Sequence, residues 1–442
     1  MTLNLESIEN PMDFFNYSKD EVYNLDVDDV TEYQLKIIAQ RFDELCSKVP
    51  HLNKRASEQG VDSITSFDDL VKLLEEPDKL YKSYDVEWLD TGRFDLLTEW
   101  LDQYTAVDLS SIDVSSCVRI DDWCQAIEDQ AGCYIRHSSG TSGTLSFMLR
   151  KIGEEEVIPT HWMWHLQGWG KEPDLALKKG EDNDISIFYP QARRLRRTQQ
   201  FIFDYWEKWY TNKPVKTAID YQSPDLARYA GMKRKFLEKG GTLEEFLANP
   251  LFQELDKEQA DFDATFKQRF GAWLEDIMTN HQGEKIMLFT LTEMVYDMGQ
   301  ALKAKGQRQV FQDNSIIICA GGLKLRDSLP ENWQEETCDI LGVSKGSFKT
   351  LYGMTEIMPQ SLQCPDGHYH LDPWNILLLL DPKTGKALPR EDVQSGHIAV
   401  FDPFAESYWS GLITGDQGTI NYNGGCSCGR PGPFMYSEIS RI

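Results

Sequence analysis

Three short motifs contain residue types suited to binding a nucleotide and its phosphates. The first is Ser138-Ser-Gly-Thr-Ser-Gly-Thr144. Its glycines let the backbone approach an anion closely, and its N–H and O–H groups can donate to phosphate oxygens. It lacks the Gly-x4-Gly-Lys-Ser/Thr spacing of the common phosphate loop. Taken alone, the segment is equally consistent with a flexible surface loop.

The other two motifs are Tyr352-Gly-Met-Thr-Glu356 and Thr414-Gly-Asp416. An aromatic ring can stack on a base. A threonine hydroxyl can bind a phosphate, and a carboxylate can hold Mg²⁺. An aspartate after a tight turn can accept hydrogen bonds from ribose hydroxyls. Each motif by itself is also typical of an ordinary strand end or turn.

A fourth pattern indicates a bound metal. Cys364-Pro-Asp-Gly-His368-Tyr-His370 precedes Cys426-Ser-Cys428. Three thiolates and one imidazole suit a closed, tetrahedral Zn²⁺ site, and residues two apart on a strand share a face. The predicted ligands are Cys364, His370, Cys426 and Cys428, with His368 as the alternative histidine. The competing interpretation is a set of buried free cysteines.

Charge and cysteine usage limit the classes of protein. The 442 residues include 71 acidic and 45 basic ones, and residues 1–130 alone contain 30 acidic and 11 basic ones. Such an acidic first third repels phosphate backbones and anionic lipids, so we expect neither nucleic-acid nor membrane binding. No run of about 18 apolar residues exists. The nine cysteines, an odd number without a secretory signal, indicate a reducing cytoplasm.

The elements that would position these motifs are predicted from hydrophobic periodicity. Residues 4–59 read as largely helical, 65–74 as a short helix capped by Ser66, and 194–275 as charged, aromatic and helix-like. Strands are predicted at 285–290 and 315–320, with a helix at 291–305 between them. Further strands are predicted at 376–380, 397–401 and 418–421, with a turn at 381–385.

These elements predict a layered α/β protein with a β-rich subdomain at its C-terminal end. Residues 1–130 would form the helical, acidic N-terminal part of the large domain. Residues 131–360 would form an α/β core that contains the first two nucleotide-binding motifs, with a helical insertion at about 190–280. Residues 361–442 would form the β-rich subdomain that contains the zinc knuckle.

In combination and in this order, the motifs resemble those of the adenylate-forming superfamily of acyl-CoA synthetases, peptide-synthetase adenylation domains and firefly luciferase. The chain is most similar to the phenylacetate–CoA ligase branch and to its relatives, the acyl-protein synthetases of bacterial luminescence. The family's Ser/Thr/Gly loop matches residues 138–144, its Gly-Gly strand end matches Gly321-Gly322, and its Tyr-Gly-x-Thr-Glu and Thr-Gly-Asp motifs match Tyr352–Glu356 and Thr414–Asp416. Cys-x-Cys-Gly-Arg is also similar to a metal-binding pattern of this branch.

The resemblance implies that a carboxylic acid attacks the α-phosphate of ATP, which gives an acyl-adenylate and pyrophosphate. The acyl group would then pass to a thiol of CoA, a carrier protein or a partner cysteine. The residues carried over are Ser138, Ser139, Gly140, Thr141, Ser142 and Gly143 for the β- and γ-phosphates, Gly321, Gly322 and Leu323 for the adenine and acyl pockets, Tyr352, Gly353 and Met354 beside the adenine, Thr355 for the α-phosphate, Glu356 for Mg²⁺ and Asp416 for the ribose.

The sequence departs from the family in two places. The phosphate loop continues as Thr144-Leu-Ser and lacks the family's lysine; Arg150 and Lys151 are near but not aligned. The family's mobile C-terminal domain, which brings a catalytic lysine, is expected to be absent from this sequence, which stops near the expected hinge; either the sequence is truncated there or the natural protein lacks the domain. Transfer to an amine or another non-thiol acceptor, and a non-catalytic ATP-binding relative, are therefore the alternative functions.

Two aromatic segments remain. Residues 161–169 contain His161, His165 and three tryptophans, and we interpret this segment as a buried helix face. Phe289-Thr290 begins the helix that often borders the acyl group in the family, which favours an aromatic or apolar acid.

Overall fold

A parallel sheet forms the centre of the protein. The computed structural model describes residues 3–138, 140, 144–170, 172–194, 198–320, 323 and 328–442. The sheet has the strand order β4-β3-β5-β6-β7-β8, in which β8 is antiparallel to β7 and the other neighbours are parallel. The strands are β3 (Ser186–Arg194), β4 (Lys216–Tyr221), β5 (Ile286–Leu291), β6 (Ile316–Ala320), β7 (Phe348–Tyr352) and β8 (Ser361–Leu362).

An antiparallel sheet follows at the C-terminal end of the chain. Its order is β10-β11-β12-β13-β9, and β14 pairs with β12. The strands are β9 (Tyr369–His370), β10 (Ile376–Leu380), β11 (Val393–Phe401), β12 (Leu412–Asn421), β13 (Phe434–Met435) and β14 (Ser440–Arg441). A separate antiparallel hairpin consists of β1 (Cys133–His137) and β2 (Phe147–Lys151).

Helices cover the sheets and form the N-terminal part. They are α1 (Lys19–Tyr23), α2 (Val27–Leu45), α3 (Pro50–Gln59), α4 (Phe67–Leu73), α5 (Val86–Asp90), α6 (Phe94–Asp102), α7 (Ile120–Ala131), α8 (Val157–Leu166), α9 (Thr198–Trp209), α10 (Pro224–Glu238), α11 (Leu243–Phe246), α12 (Pro250–Asn280), α13 (Thr292–Ala304) and α14 (Trp333–Leu341). Within the described ranges, none of them has the length and apolar character needed to cross a membrane.

Most of the predicted elements are confirmed. Ser66 caps α4 in a capping box with Asp69. The run Ile376–Leu380 is a fully buried strand, as its continuous apolar sequence predicts. The turn after it is held by the Asp381 side chain, whose Oδ1 accepts from the Lys383 and Thr384 N–H groups at 2.8 Å each.

The prediction that residues 194–275 are helix-like is wrong for one segment, which forms a strand. Residues Lys216–Tyr221 form β4, which lies at the edge of the parallel sheet beside β3. Only Ala218 and Ile219 of this strand are buried, because an edge strand packs only part of its surface. Its sequence therefore lacks the continuous apolar run that identifies a central parallel strand.

A buried cluster of charged side chains stabilises the hairpin. Arg136 of β1 and Arg150 of β2 both bind Glu155, at distances of 2.8 Å (Nε–Oε2) and 3.0 Å (Nη1–Oε1). Burial would raise the pKa of Glu155, but the two guanidiniums more than offset this effect and hold it below its usual value. Arg150 Nη2 also donates to the carbonyl oxygen of Thr355 at 2.6 Å, which joins the hairpin to the segment after β7.

We expect Glu155→Gln to lower the free energy of unfolding by about 3–5 kcal/mol, because two buried guanidiniums would lose their carboxylate. Urea unfolding would measure the change. Glu156→Gln is the matched control, since Glu156 is the exposed neighbour and should change the stability by no more than about 0.5 kcal/mol. Equal midpoints for the two variants would contradict the structural role given to this cluster.

Candidate functional site

The predicted nucleotide motifs meet where the two sheets adjoin. Tyr352 is the last residue of β7, and Asp416 lies in β12 of the antiparallel sheet. The Tyr352 hydroxyl donates to Asp416 Oδ2 at 3.2 Å. Burial and the Asp416 carboxylate raise the pKa of Tyr352 well above its usual value, so the hydroxyl stays protonated as a donor. Two motifs that are 64 residues apart in sequence are thus in direct contact.

Asp416 has a second partner that the motifs did not indicate. The Arg441 Nε of β14 lies 3.1 Å from Asp416 Oδ1, and the two residues are paired across β12 and β14. The Arg441 side chain is 82% exposed. In the sequence, Arg441 is marked only by its position in a short segment that could form a strand. This signal is too weak to predict that Arg441 contacts Asp416.

Glu356 is fixed from the other side by the hairpin. Ser146 Oγ donates to Glu356 Oε1 at 2.6 Å, and both residues are buried. The main-chain oxygen of Glu356 accepts from the Tyr408 hydroxyl at 3.1 Å. The segment after Glu356 is held by Asp402, whose Oδ2 accepts from the Met358 N–H at 2.6 Å and whose pKa burial raises to about 6. The Glu356 carboxylate therefore has a defined position.

The Ser/Thr/Gly loop is closed at its base. The Ser138 N–H donates to the Ser146 carbonyl oxygen at 3.1 Å, and the Ser146 N–H donates to Ser138 Oγ at 3.0 Å. Gly140 has φ of 69°, and a Cβ there would lie 2.9 Å from Leu145 Cδ2 and 3.0 Å from the Ala227 oxygen. Glycine is therefore required at this position. Ser139, Thr141, Ser142 and Gly143 lie outside the described residues.

The remaining predicted residues border the same region. Thr355 and Met354 are half-buried, and Met354 packs against the main hydrophobic core. A Cβ on Gly353 would lie 2.7 Å from Gln360 Cγ, so this position also favours glycine. Leu323 is exposed, and Gly321 and Gly322 lie outside the described residues. Arg150, the nearest cation to the missing loop lysine, is fully buried against Glu155.

The predicted metal ligands form one compact group. One ligand atom from each of Cys364, His370, Cys426 and Cys428 lies within 4.8 Å of the others. Cys428 Sγ is 3.3 Å from His370 Nε2, and Cys364 Sγ is 3.9 Å from Cys426 Sγ. His368 is not part of this group, although its Nδ1 lies 3.2 Å from Cys426 Sγ.

The loops around the cysteines have the local geometry of a metal knuckle. The Arg430 N–H donates to Cys428 Sγ at 3.4 Å, and the Gly429 N–H donates to the Cys426 oxygen at 3.0 Å. The guanidinium of Arg430 then binds both oxygens of Glu172, at 2.9 and 3.1 Å. Three sulfurs and one imidazole nitrogen at these separations fit the donor set of a tetrahedral Zn²⁺ ion.

Solved structures with a similar fold include those of a CoA ligase. The chain is similar to 2-hydroxyisobutyryl-CoA ligase in complex with 2-HIB-AMP and CoA in the thioesterification state, with a TM-score of 0.55, 11% identity, and coverage of 97% of this chain and 73% of that one. An open conformation of the same ligase gives a TM-score of 0.52, 9% identity, and coverage of 94% and 70%. No curated protein matches the sequence.

Part of the sequence also matches a known protein family. Residues 249–441 match the family described as acyl-protein synthetase, LuxE. This stretch includes β5 to β14, and with them Tyr352, Glu356, Asp416 and the cysteine cluster. The similarity to phenylacetate–CoA ligase stays a prediction. The chain is thus similar to the acyl-protein synthetase family over residues 249–441, and its fold is similar to that of 2-hydroxyisobutyryl-CoA ligase.

Proposed function

We propose that this protein activates a carboxylic acid with ATP as an acyl-adenylate and then transfers the acyl group to a thiol. The observation that carries the proposal is the convergence of three motifs. Tyr352 binds Asp416, and Ser146 of the hairpin binds Glu356, four residues beyond Tyr352. Aromatic, carboxylate and hydroxyl groups are thereby brought to one edge of the parallel sheet, where ligands of α/β proteins commonly bind.

In the proposed reaction, a carboxylate oxygen of the acid attacks the α-phosphorus of ATP, and the bond to pyrophosphate breaks. The thiol then attacks the acyl carbonyl, loses its proton and displaces AMP. The substrate is highly charged, so the site must orient it and offset its negative charge. Phe289 stacks on Tyr189 with ring centroids 5.5 Å apart, and it also contacts Trp162. These three rings are buried in the core, so our choice of an aromatic or apolar acid as the substrate rests on the position of Phe289, which precedes the helix that often borders the acyl group in the family.

Each residue of the site has a separate proposed role. Asp416 accepts hydrogen bonds from the ribose hydroxyls, and Tyr352 flanks the adenine. Thr355 donates to the α-phosphate, and the loop closed by Ser138 and Ser146 donates to the outer phosphates. Gly321, Gly322 and Leu323 border the adenine and acyl pockets.

Glu356 is the proposed ligand for Mg²⁺. A carboxylate oxygen beside hydroxyl groups is a donor set that Mg²⁺ accepts together with phosphate oxygens. When bound, Mg²⁺ would offset the charge that develops on the phosphates. Ser146 orients the Glu356 carboxylate by its hydrogen bond, and so it acts as a positioning residue.

The direct test is ATP–pyrophosphate exchange across a panel of aryl, fatty and amino acids. Exchange that depends on one class of acid is the expected result, because the first half-reaction does not need the acceptor. A subsequent assay with CoA and with carrier proteins would identify the thiol. ATP and Mg²⁺ binding without exchange for any acid would contradict the proposal.

Glu356→Gln should lower the exchange rate by about 100-fold or more, because it removes the charge that holds Mg²⁺ at the phosphates. The control is Glu391→Gln, which changes an exposed glutamate in the antiparallel sheet region and should leave exchange unchanged. A Glu356→Gln protein with wild-type exchange would show that the Mg²⁺ ligand is elsewhere.

Asp416→Asn should raise the KM for ATP by about 10-fold with a smaller change in kcat, since one carboxylate–hydroxyl hydrogen bond contributes about 1.5–3 kcal/mol. Steady-state exchange at varied ATP concentration measures the split. Asp313→Asn, at an exposed aspartate, is the control. An unchanged KM for ATP in Asp416→Asn would remove Asp416 from the ribose site.

We further propose that Cys364, His370, Cys426 and Cys428 hold a structural Zn²⁺ ion. Cys426→Ser should lower the zinc content by about one ion per chain and lower the melting temperature, because a closed thiolate site contributes folding energy. Elemental analysis and thermal unfolding would measure both effects. Cys117→Ser is the control, since Cys117 is half-buried and lies outside this group. Equal zinc contents in the two variants would exclude the site.

A further inference from the structure

A second group of metal-ligand side chains lies inside the protein, apart from the cysteine cluster. His161 and His165 are one helical turn apart on α8, so they share a face. Asp372 follows β9 and reaches the same point. One ligand atom from each residue lies within 4.8 Å of the other two, and His165 Nε2 is 3.1 Å from Asp372 Oδ2.

The two imidazoles have polar atoms that the polypeptide does not satisfy. His161 is fully buried and His165 is 3% exposed. Among the described residues, both ring nitrogens of His161 and the Nδ1 of His165 lack a polar partner, whereas His165 Nε2 faces the Asp372 carboxylate without hydrogen-bond geometry. A buried polar atom without a partner costs about 1–3 kcal/mol. Three such nitrogens beside one carboxylate indicate that a group other than the chain binds there.

We propose that His161, His165 and Asp372 hold a divalent transition-metal ion, with Zn²⁺ as the expected one. Two imidazole nitrogens and one carboxylate oxygen are a common donor set for Zn²⁺, and Fe²⁺ and Co²⁺ also accept it. Burial lowers the pKa of both histidines well below the usual value, which keeps their lone pairs available at neutral pH. Three protein ligands leave one coordination position for a water molecule.

The cations near the site are paired with a different carboxylate. Lys19, Lys349 and Arg430 each lie within 4.0 Å of a Glu172 oxygen, so Glu172 is their nearest counter-charge. The Asp372 carboxylate is directed at the imidazoles instead, with its Oδ2 3.1 Å from His165 Nε2.

The ion would join two separate parts of the chain, α8 and the segment after β9. The His161 ring packs edge-on against Trp374, with centroids 5.8 Å apart, and lies 5.9 Å from the Phe15 ring of the N-terminal segment. These rings exclude bulk solvent from the ligands. The expected role is structural: the ion would fasten α8 to the antiparallel sheet. The inference does not depend on the proposed enzymatic function.

Metal analysis of the full-length protein tests the proposal. Protein produced in zinc-supplemented medium should contain about two ions per chain, and in cobalt medium about two Co²⁺ ions. Only the cysteine site gives thiolate-to-cobalt charge-transfer absorption. The wild-type protein should therefore bind more cobalt than that absorption accounts for. Cobalt equal to the thiolate-bound amount would overturn the proposal without any variant.

A double variant provides the second measurement. His161→Gln combined with His165→Gln should lose about one metal ion per chain and keep the charge-transfer absorption. The matched control is His397→Gln, because His397 lies in β11 outside both groups, and it should keep both ions. If the folded double variant keeps the wild-type metal content, a buried water molecule and not a metal occupies the site, and the proposal fails.

Discussion

The buried pairing of Arg136 and Arg150 with Glu155 is the interaction on which the site depends. It fixes the two strands of the hairpin, and Arg150 extends from it to the Thr355 carbonyl. Ser146, four residues before Arg150, then reaches Glu356. A buried ion group is costly to desolvate and is stable only when every charge has a partner. That requirement gives the hairpin a single position relative to the parallel sheet.

The second constraint is the contact between the two sheets. Tyr352 ends a parallel strand, and Asp416 lies in an antiparallel strand, yet their side chains share a hydrogen bond. At the same sheet, Cys428 lies 3.3 Å from His370 of β9, and Arg430, two residues further on, pairs with Glu172. In the proposed reaction, the ribose and the adenine would therefore be bound by different sheets. Any rotation of one sheet against the other would change both contacts together.

Much of the fold and part of the site could be predicted from the sequence, because local patterns encode them. The continuous run of β10 and the capping box of α4 are properties of a few adjacent residues. The Tyr352–Glu356 motif likewise places the groups of its proposed role within five positions. The edge strand β4 and the Arg441–Asp416 pair were not predictable in this way. Both depend on which segment lies next to which, and periodicity does not encode that.

The histidines of α8 are an instructive intermediate case. Their burial was predicted, since His161 and His165 lie among apolar and aromatic residues. Their proximity to Asp372 was not, because more than 200 residues separate the two segments. A helix face can be recognised from spacing alone, whereas the group that it meets is set by the tertiary fold.

The wide sequence separation of these contacts has a consequence for synthesis of the protein. Ser146 and Glu356 are 210 residues apart, and Arg150 and Thr355 are 205 apart. Contacts of such high order form slowly, because the long intervening loop must close first. During translation, Ser146 and Arg150 lack these partners until the segment after β7 has been synthesised. The hairpin of an unfinished chain would therefore have no fixed position relative to the parallel sheet until most of the large domain is present.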